Sequence, residues 1–377
     1  MDDLLPFFEA EHFGSSKENI SGNPLQIGQK IYTAIAGIHD FEDAEIIIIG
    51  CGERRGSEQN KTYSTGLDKI RKELYKMYHW HKDIKILDAG NIMEGASVGD
   101  TKSVLRIVLE EIHQAGKIAI VLGGSQDLTL QQYEVFKNAQ KTIHAAVIDG
   151  KIDLEERENI SDEGFLMDML TSEPNFVRHF SLLGFESYYT NPKMLETLDK
   201  LRFDCFRLGN VREKIEEMEP VLRDCDLVSI DLNVLRYSEA SFLTDASPNG
   251  LFSDELCLLT RYAGMSTKLS SLGIYGYEAE NDFHNQGAKV IAQMLWYFID
   301  GHFIRKNESS LSNDQNFIEF NLEISGYPVK FLKSKKSNRW WMQLVDKTFV
   351  SCSYKDYLLA ANEGIPDRWL RAQERVV

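Results

Sequence analysis

From residue 45 to about 303, short apolar runs alternate with amphipathic segments. The runs are EIIIIG (45–50), IKILDAG (84–90), KIAIVLGG (117–124), IHAAVID (143–149), HFSLLG (179–184), FDCFRLG (203–209), CDLVSID (225–231) and SLGIYG (271–276). Most are continuously apolar and end in Gly or Asp, as parallel strands buried on both faces do. Between them the spacing turns helical. In residues 64–80, Leu67, Ile70, Leu74, Met77 and Tyr78 share one face, with Ser64 or Thr65 as cap. Residues 101–115 place Val104, Val108 and Ile112 four apart, and Ser253 opens another helix. The alternation predicts an α/β protein, a three-layer α/β/α sandwich around a parallel sheet of about eight strands. Ligands then belong beyond the carboxyl ends of the strands.

The pattern changes after residue 305. KNESSLSNDQN (306–316) is polar and reads as a linker between a main domain, 1–305, and a small unit, 317–377. In that unit FIEFNLEI alternates, GYPVKFLK and RWWMQLV follow, and KSKKSN makes a turn between the last two. This predicts an antiparallel β meander, followed by a helix over roughly 353–362 and a tail containing Trp369. Trp340 and Trp341, adjacent in one strand, face opposite sides. With Trp369 they are the candidate surface for a protein partner.

Charge narrows the function classes. The chain carries −16. Residues 317–377 hold ten Lys and Arg against seven Asp and Glu, or +3, which leaves −19 for the rest. Phosphate contacts need a basic face, so nucleic acid is not an expected partner. No apolar run approaches the ~20 residues that span a bilayer, and the acidic start MDDLL lacks the basic opening of a signal peptide. Cys51, Cys205, Cys225, Cys257 and Cys352 form no CxxC pair, which favours a reducing compartment. The expected location is the cytoplasm.

Four strand ends carry the polar chemistry. GGSQD (123–127) follows one, Asp149, Lys151 and Asp153 the next, Asp231 and Asn233 close LVSIDLN, and Glu278 follows SLGIYGY. In a parallel sheet all four lie along one edge, and acids converging from separate strands signal a site better than any single motif. Each has a plainer reading too. Gly123-Gly124 makes a tight turn, and a lone Asp caps a helix.

Taken in order, these segments resemble the ureohydrolases: arginase, agmatinase and formimidoylglutamase. The resemblance covers about residues 44–303. IIIIGCGERRGSEQN resembles the family's opening strand and Gly-rich loop, GKIAIVLGGSQDLTL its Gly-Gly-Asp-His-Ser segment, AAVIDGKIDL its Asp-Ala-His-x-Asp segment, LVSIDLNVL its Ser-x-Asp-x-Asp segment, and GIYGYEAEND the stretch whose Glu meets the substrate's amidine. It implies an arginase-like fold with an eight-stranded parallel sheet, and a pair of manganese ions held by two histidines and four aspartates. The bridging hydroxide attacks a guanidine or amidine carbon.

Carried over residue by residue, the first histidine position is Gln126. The Asp-x-His-x-Asp set is Asp149, Lys151 and Asp153, and the closing pair is Asp231 and Asn233. Three of six ligands remain. SDEGF (161–165) lacks the histidine the family places near substrate, and Glu278 matches the amidine-contacting Glu. A protonated lysine cannot ligate a metal, and two like unit charges about 4 Å apart repel by roughly 4 kcal/mol at an effective dielectric of 20. Lys151 is therefore expected to replace the metal charge, held by Asp149, Asp153 and Asp231, with no cofactor bound. The reading that follows is a pseudoenzyme, a scaffold, partner-binding protein or ligand sensor, with no catalytic residue assigned. Glu278 and Asp153 are the ancestral candidates.

A second reading stays open. With Lys151 turned away, Asp149, Asp153 and Asp231 hold a hard divalent cation, Mn²⁺ or another such as Mg²⁺, and the protein hydrolyses C–N bonds in linear amidines. Of the histidines, His144 and His179 fall at strand starts and only His284 lies near the site. Cys51 reads as a small core or loop residue rather than a thiol nucleophile, since no histidine is placed to activate it. The family also implies a homo-oligomer.

Overall fold

The structure is a computed structural model that describes residues 6–9, 23–33, 39–57, 62–155, 161–311 and 314–374. The acidic start at 1–5, residues 58–60 of the Gly-rich loop and 312–313 of the polar stretch lie outside them.

All eight apolar runs are strands: β2 (Ile46–Gly50), β3 (Ile86–Asn91), β4 (Ile118–Leu122), β5 (Ile143–Ile148), β6 (Val177–Phe185), β7 (Asp204–Arg207), β8 (Leu227–Asp231) and β9 (Ser271–Tyr275). A ninth, β1 (Tyr32–Thr33), adds a two-residue edge that the apolar pattern does not reveal. The sheet order is β1-β3-β2-β4-β9-β8-β5-β6-β7, with every pairing parallel. β2 and β4 are buried along their whole length because helices cover both faces.

The helices depart from their predicted bounds for local reasons. The helix predicted over 64–80 occupies only Asp68–Tyr75, and neither Ser64 nor Thr65 caps it. Its buried face is Ile70, Leu74 and Tyr75, while Tyr78 is half exposed. The next helix starts earlier, at Val98, because Ser97 and Asp100 form a reciprocal capping box.

The C-terminal unit is a four-stranded antiparallel sheet of β10 (Phe317–Ile324), β11 (Tyr327–Ser334), β12 (Trp340–Gln343) and β13 (Phe349–Cys352), in that order. The sequence pattern predicted three strands; FVSC is the fourth. Helices Tyr354–Ala361 and Asp367–Glu374 follow.

This unit is bolted to the main one by buried cations. Arg223 donates to the carbonyls of Trp340 (3.0 Å) and Cys352 (3.1 Å), and its guanidinium lies 4.4 Å from the centre of the Trp341 ring. Arg339 reaches back to the Met265 carbonyl (3.2 Å). The partner surface expected at the tryptophans is thus corrected. Trp340, Trp341 and Trp369 are 6, 7 and 4% exposed. Trp340 stacks on Phe320 and Tyr357, Trp341 faces the main unit, and Trp369 donates to the Gln343 carbonyl. The sheet needs apolar mass on both faces, and the indoles supply it. The large apolar side chains this unit does expose include Tyr354, Leu358, Leu359 and Leu370.

Candidate active site

The four strands whose ends carry the candidate residues, β4, β9, β8 and β5, are immediate neighbours in the sheet. Their carboxyl ends open into a cavity of about 120 Å³ lined by Gln126, Lys151, Asp153, Asp231, Asn233 and Glu278 among others. Asp149 is fully buried beneath it.

Two glycines shape the floor. Gly124 (φ +78°) holds the left-handed turn that swings Gln126 inward, and a Cβ there would stand 2.7 Å from the Glu53 carbonyl. Gly276 (φ +82°) leaves room for Asp231, whose Oδ1 would lie 2.8 Å from any added Cβ.

Above them is a hydrogen-bonded cluster. An amide's nitrogen and oxygen are distinguished by what surrounds them. The outer atom of Gln126 faces two carboxylates, so it is the nitrogen. It donates to Asp149 Oδ2 (2.6 Å) and Asp153 Oδ2 (3.1 Å), while Oε1 accepts from Ser229 Oγ (3.1 Å). Asp149 Oδ1 accepts from the Lys151 amide (2.8 Å). Burial pushes the Asp149 carboxyl up to about 6, against the pull of that amide. Burial, with the Asp149 charge next to it, pushes Asp153 well above the usual range. Both shifts have the direction expected of two acids in one dry site, where two like charges are costly.

Lys151 is not inside this cluster, which corrects the expectation drawn from its spacing. Its side chain is 43% exposed and the ammonium lies 3.8 Å from Asp245 on the rim. Because the Lys151 amide turns in to cap Asp149, the side chain is directed outward. Among the described residues it makes no ion pair with Asp149, Asp153 or Asp231. Lys151→Ala should therefore change stability by less than about 0.5 kcal/mol in a urea titration. A lysine buried among the acids would have cost several times that.

Glu278 does line the cavity, with Oε2 accepting from the Thr244 amide (3.0 Å), the Thr244 hydroxyl (2.6 Å) and Asn281 Nδ2 (2.7 Å). Sequence reasoning missed Arg54 and Asp245, which also line it, and noted only the missing histidine of SDEGF, whose Asp162 and Glu163 line it too. Arg54 is buried and pairs with Glu280 at 2.8 Å. Its signal was its place in GCGERRG, four residues past Gly50, the last residue of β2. His144 and His179 sit in the opening residues of β5 and β6. Cys51 is fully buried, and burial pushes its thiol up to about 12, so it is a core residue and no nucleophile.

Comparison with known proteins places this geometry. The model of the arginase family matches residues 44–300. The chain belongs to the arginase family. Formimidoylglutamase of Bacillus subtilis (strain 168) is 21% identical over 194 residues, covering 49% of this chain and 61% of that protein, so the match spans under two thirds of the curated relative. Among solved structures, formiminoglutamase of Trypanosoma cruzi with Mn²⁺ superposes with a TM-score of 0.64 at 16% identity, over 70% of this chain and 95% of that one. The Bacillus subtilis enzyme gives 0.65 at 18%, over 80% and 97%, and agmatine ureohydrolase of Thermoplasma volcanium 0.60 at 18%, over 78% and 99%. At these identities the superpositions establish the fold.

The residues present do not fit a pair of manganese ions. Both imidazole positions lack imidazole. The Lys151 head is at the rim, Asn233 Oδ1 is taken by the Gly150 amide (3.1 Å), and the Gln126 amide hydrogens occupy lone pairs of Asp149 and Asp153. Among the described residues no group of three or more His, Cys, Asp and Glu is arranged to hold a metal. Among them, too, no helix is long and apolar enough to cross a membrane.

Proposed function

We propose that this arginase-family chain has given up manganese-dependent hydrolysis and that its cleft serves binding, as a ligand sensor or as part of an interaction scaffold. The observation that supports this reading is the Gln126 amide seated on Asp149 and Asp153, at the position where the family resemblance puts an imidazole. A partner recruited through residues 317–377 would meet the exposed Tyr354, Leu358 and Leu359, since the indoles are covered.

The test is metal content and turnover together. The full chain, purified with excess manganese and desalted, is expected to retain well under one Mn²⁺ per chain by mass spectrometry. It is expected to leave N-formimidoyl-L-glutamate and agmatine unhydrolysed. The convergence of Asp153, Asp231 and Glu278 on one cavity, with Asp149 buried beneath it, favours the alternative, an active hydrolase of linear amidines with a rebuilt site. That alternative wins if manganese is retained stoichiometrically and either amidine is turned over.

A further inference from the structure

The amide of Gln126 does more than fill a lost ligand's place. Gln126 is 1% exposed, Asp149 and Ser229 are fully buried, and Asp153 is 7% exposed. From the end of β4 the side chain passes over β9, donates to both acids beyond β5, and accepts from Ser229 in β8. Ser229 is itself fixed by Thr129 Oγ1 at 2.7 Å. One neutral group thus ties three strand ends together. A divalent cation at the same place would need the carboxylate lone pairs that the two amide hydrogens occupy.

We propose that Gln126 is a built-in surrogate for a metal ion, one that both crosslinks the floor of the cleft and bars divalent cations from Asp149, Asp153 and Asp231. The proposal rests on the non-catalytic reading above. It makes a claim that reading does not: the acids form no metal group as they stand among the described residues, and it is the amide that keeps them from closing on a cation. Removing that amide should uncover a cation site without restoring either imidazole. The ligand class is a hard divalent cation on an all-carboxylate set, completed by water.

The experiment uses the full chain as wild type, Gln126→Ala and Gln126→Glu. Each is melted in EDTA, in 1 mM Mg²⁺ and in 1 mM Mn²⁺, with Mn²⁺ stoichiometry measured by equilibrium dialysis. Wild type is expected to melt at one temperature in all three and to bind no manganese. Gln126→Ala should melt lower in EDTA and regain about 4 °C with Mn²⁺, because a ligand held only by the native state raises its stability. Gln126→Glu keeps the side chain's size should the alanine variant not fold. It removes the donor, adds a fourth carboxylate, and should show the same cation dependence. A loss of stability that no cation repairs in either variant overturns the surrogate role and leaves the non-catalytic reading standing. A wild-type chain that binds manganese stoichiometrically overturns both.

Discussion

Replacing Glu308 by alanine should cost about 3–5 kcal/mol of stability, the usual penalty for stranding one member of a buried ion pair. Its side chain is 2% exposed and pairs with Arg339, 6% exposed, through Nη2 at 2.8 Å and Nε at 3.0 Å. The Ser334 hydroxyl (2.8 Å), the Ser309 amide (2.9 Å) and the Ser337 hydroxyl also donate to it. Without Glu308, the guanidinium keeps the Met265 carbonyl, the Ser337 hydroxyl at 3.2 Å and a Glu219 oxygen 3.8 Å away. That is too little to hold a buried charge. Burial pushes the Glu308 carboxyl up, but its hydrogen bonds and Arg339 prevail and hold it below the usual range. A depressed folded-state pKa means its contribution is complete above the unfolded-state value and fades as the pH falls through the folded one. Urea titrations should show the wild-type advantage over Glu308→Ala at pH 7 and a smaller one near pH 4. The pair joins the end of the helix Gln286–Asn307 to the start of β12, so the variant should loosen the small sheet first. Solvent access to Trp341 fluorescence reports that loosening.

The same residue shows where letters stop being informative. KNESS reads as a solvated linker because it is polar, yet its glutamate is the anchor of the appended sheet. Polarity marks a loop only when its partners are water, and those partners come from residues 334–339, remote in sequence. The strands were legible for the opposite reason. Runs such as IIIIG and IAIVL bury every side chain, and no amphipathic alternative competes with them. Four such ends bearing Gln126, Asp149, Asp231 and Glu278 then had to meet, because parallel strands deliver their carboxyl ends to one edge.

Lys151 was legible in position and misjudged in direction. The Asp149–Lys151 spacing lets the carboxylate accept the lysine's own amide two residues on, a local turn that asparagine and aspartate favour. That turn fixes the backbone and sends the ammonium outward. The role expected of the lysine falls to the Gln126 amide, while burial raises both acids' hold on a proton. By its letter Gln126 shows only the loss of a histidine, although a buried amide flanked by acids has hydrogens to give. Arg54 and the rim acids come from loops, where burial depends on the packing of neighbours that no local spacing encodes.

Asp149→Asn should stabilise the protein above pH 7, which is unusual for a fully buried polar residue. The carboxyl's folded-state value is raised by burial from 3.8 to about 6. Between those two values the native state binds more protons than the unfolded chain, so stability falls as the pH rises through that window. Above it the cost of the one buried carboxylate is complete, about 1–3 kcal/mol for a shift of this size. Asparagine removes the charge and keeps one oxygen for the Lys151 amide. The Gln126 amide can then turn over, accept from the new side chain and donate to Ser229 Oγ, 3.1 Å away, while protonated Asp153 donates in turn. Melting curves for the two proteins should lie closest below pH 4 and separate in favour of the variant by pH 8. A manganese-bound wild type would reverse the order, since the metal would hold Asp149 ionised and the variant would lose a ligand. Thermal melts across that range, with and without EDTA, therefore read both the acid pair and the identity of the group that neutralises it.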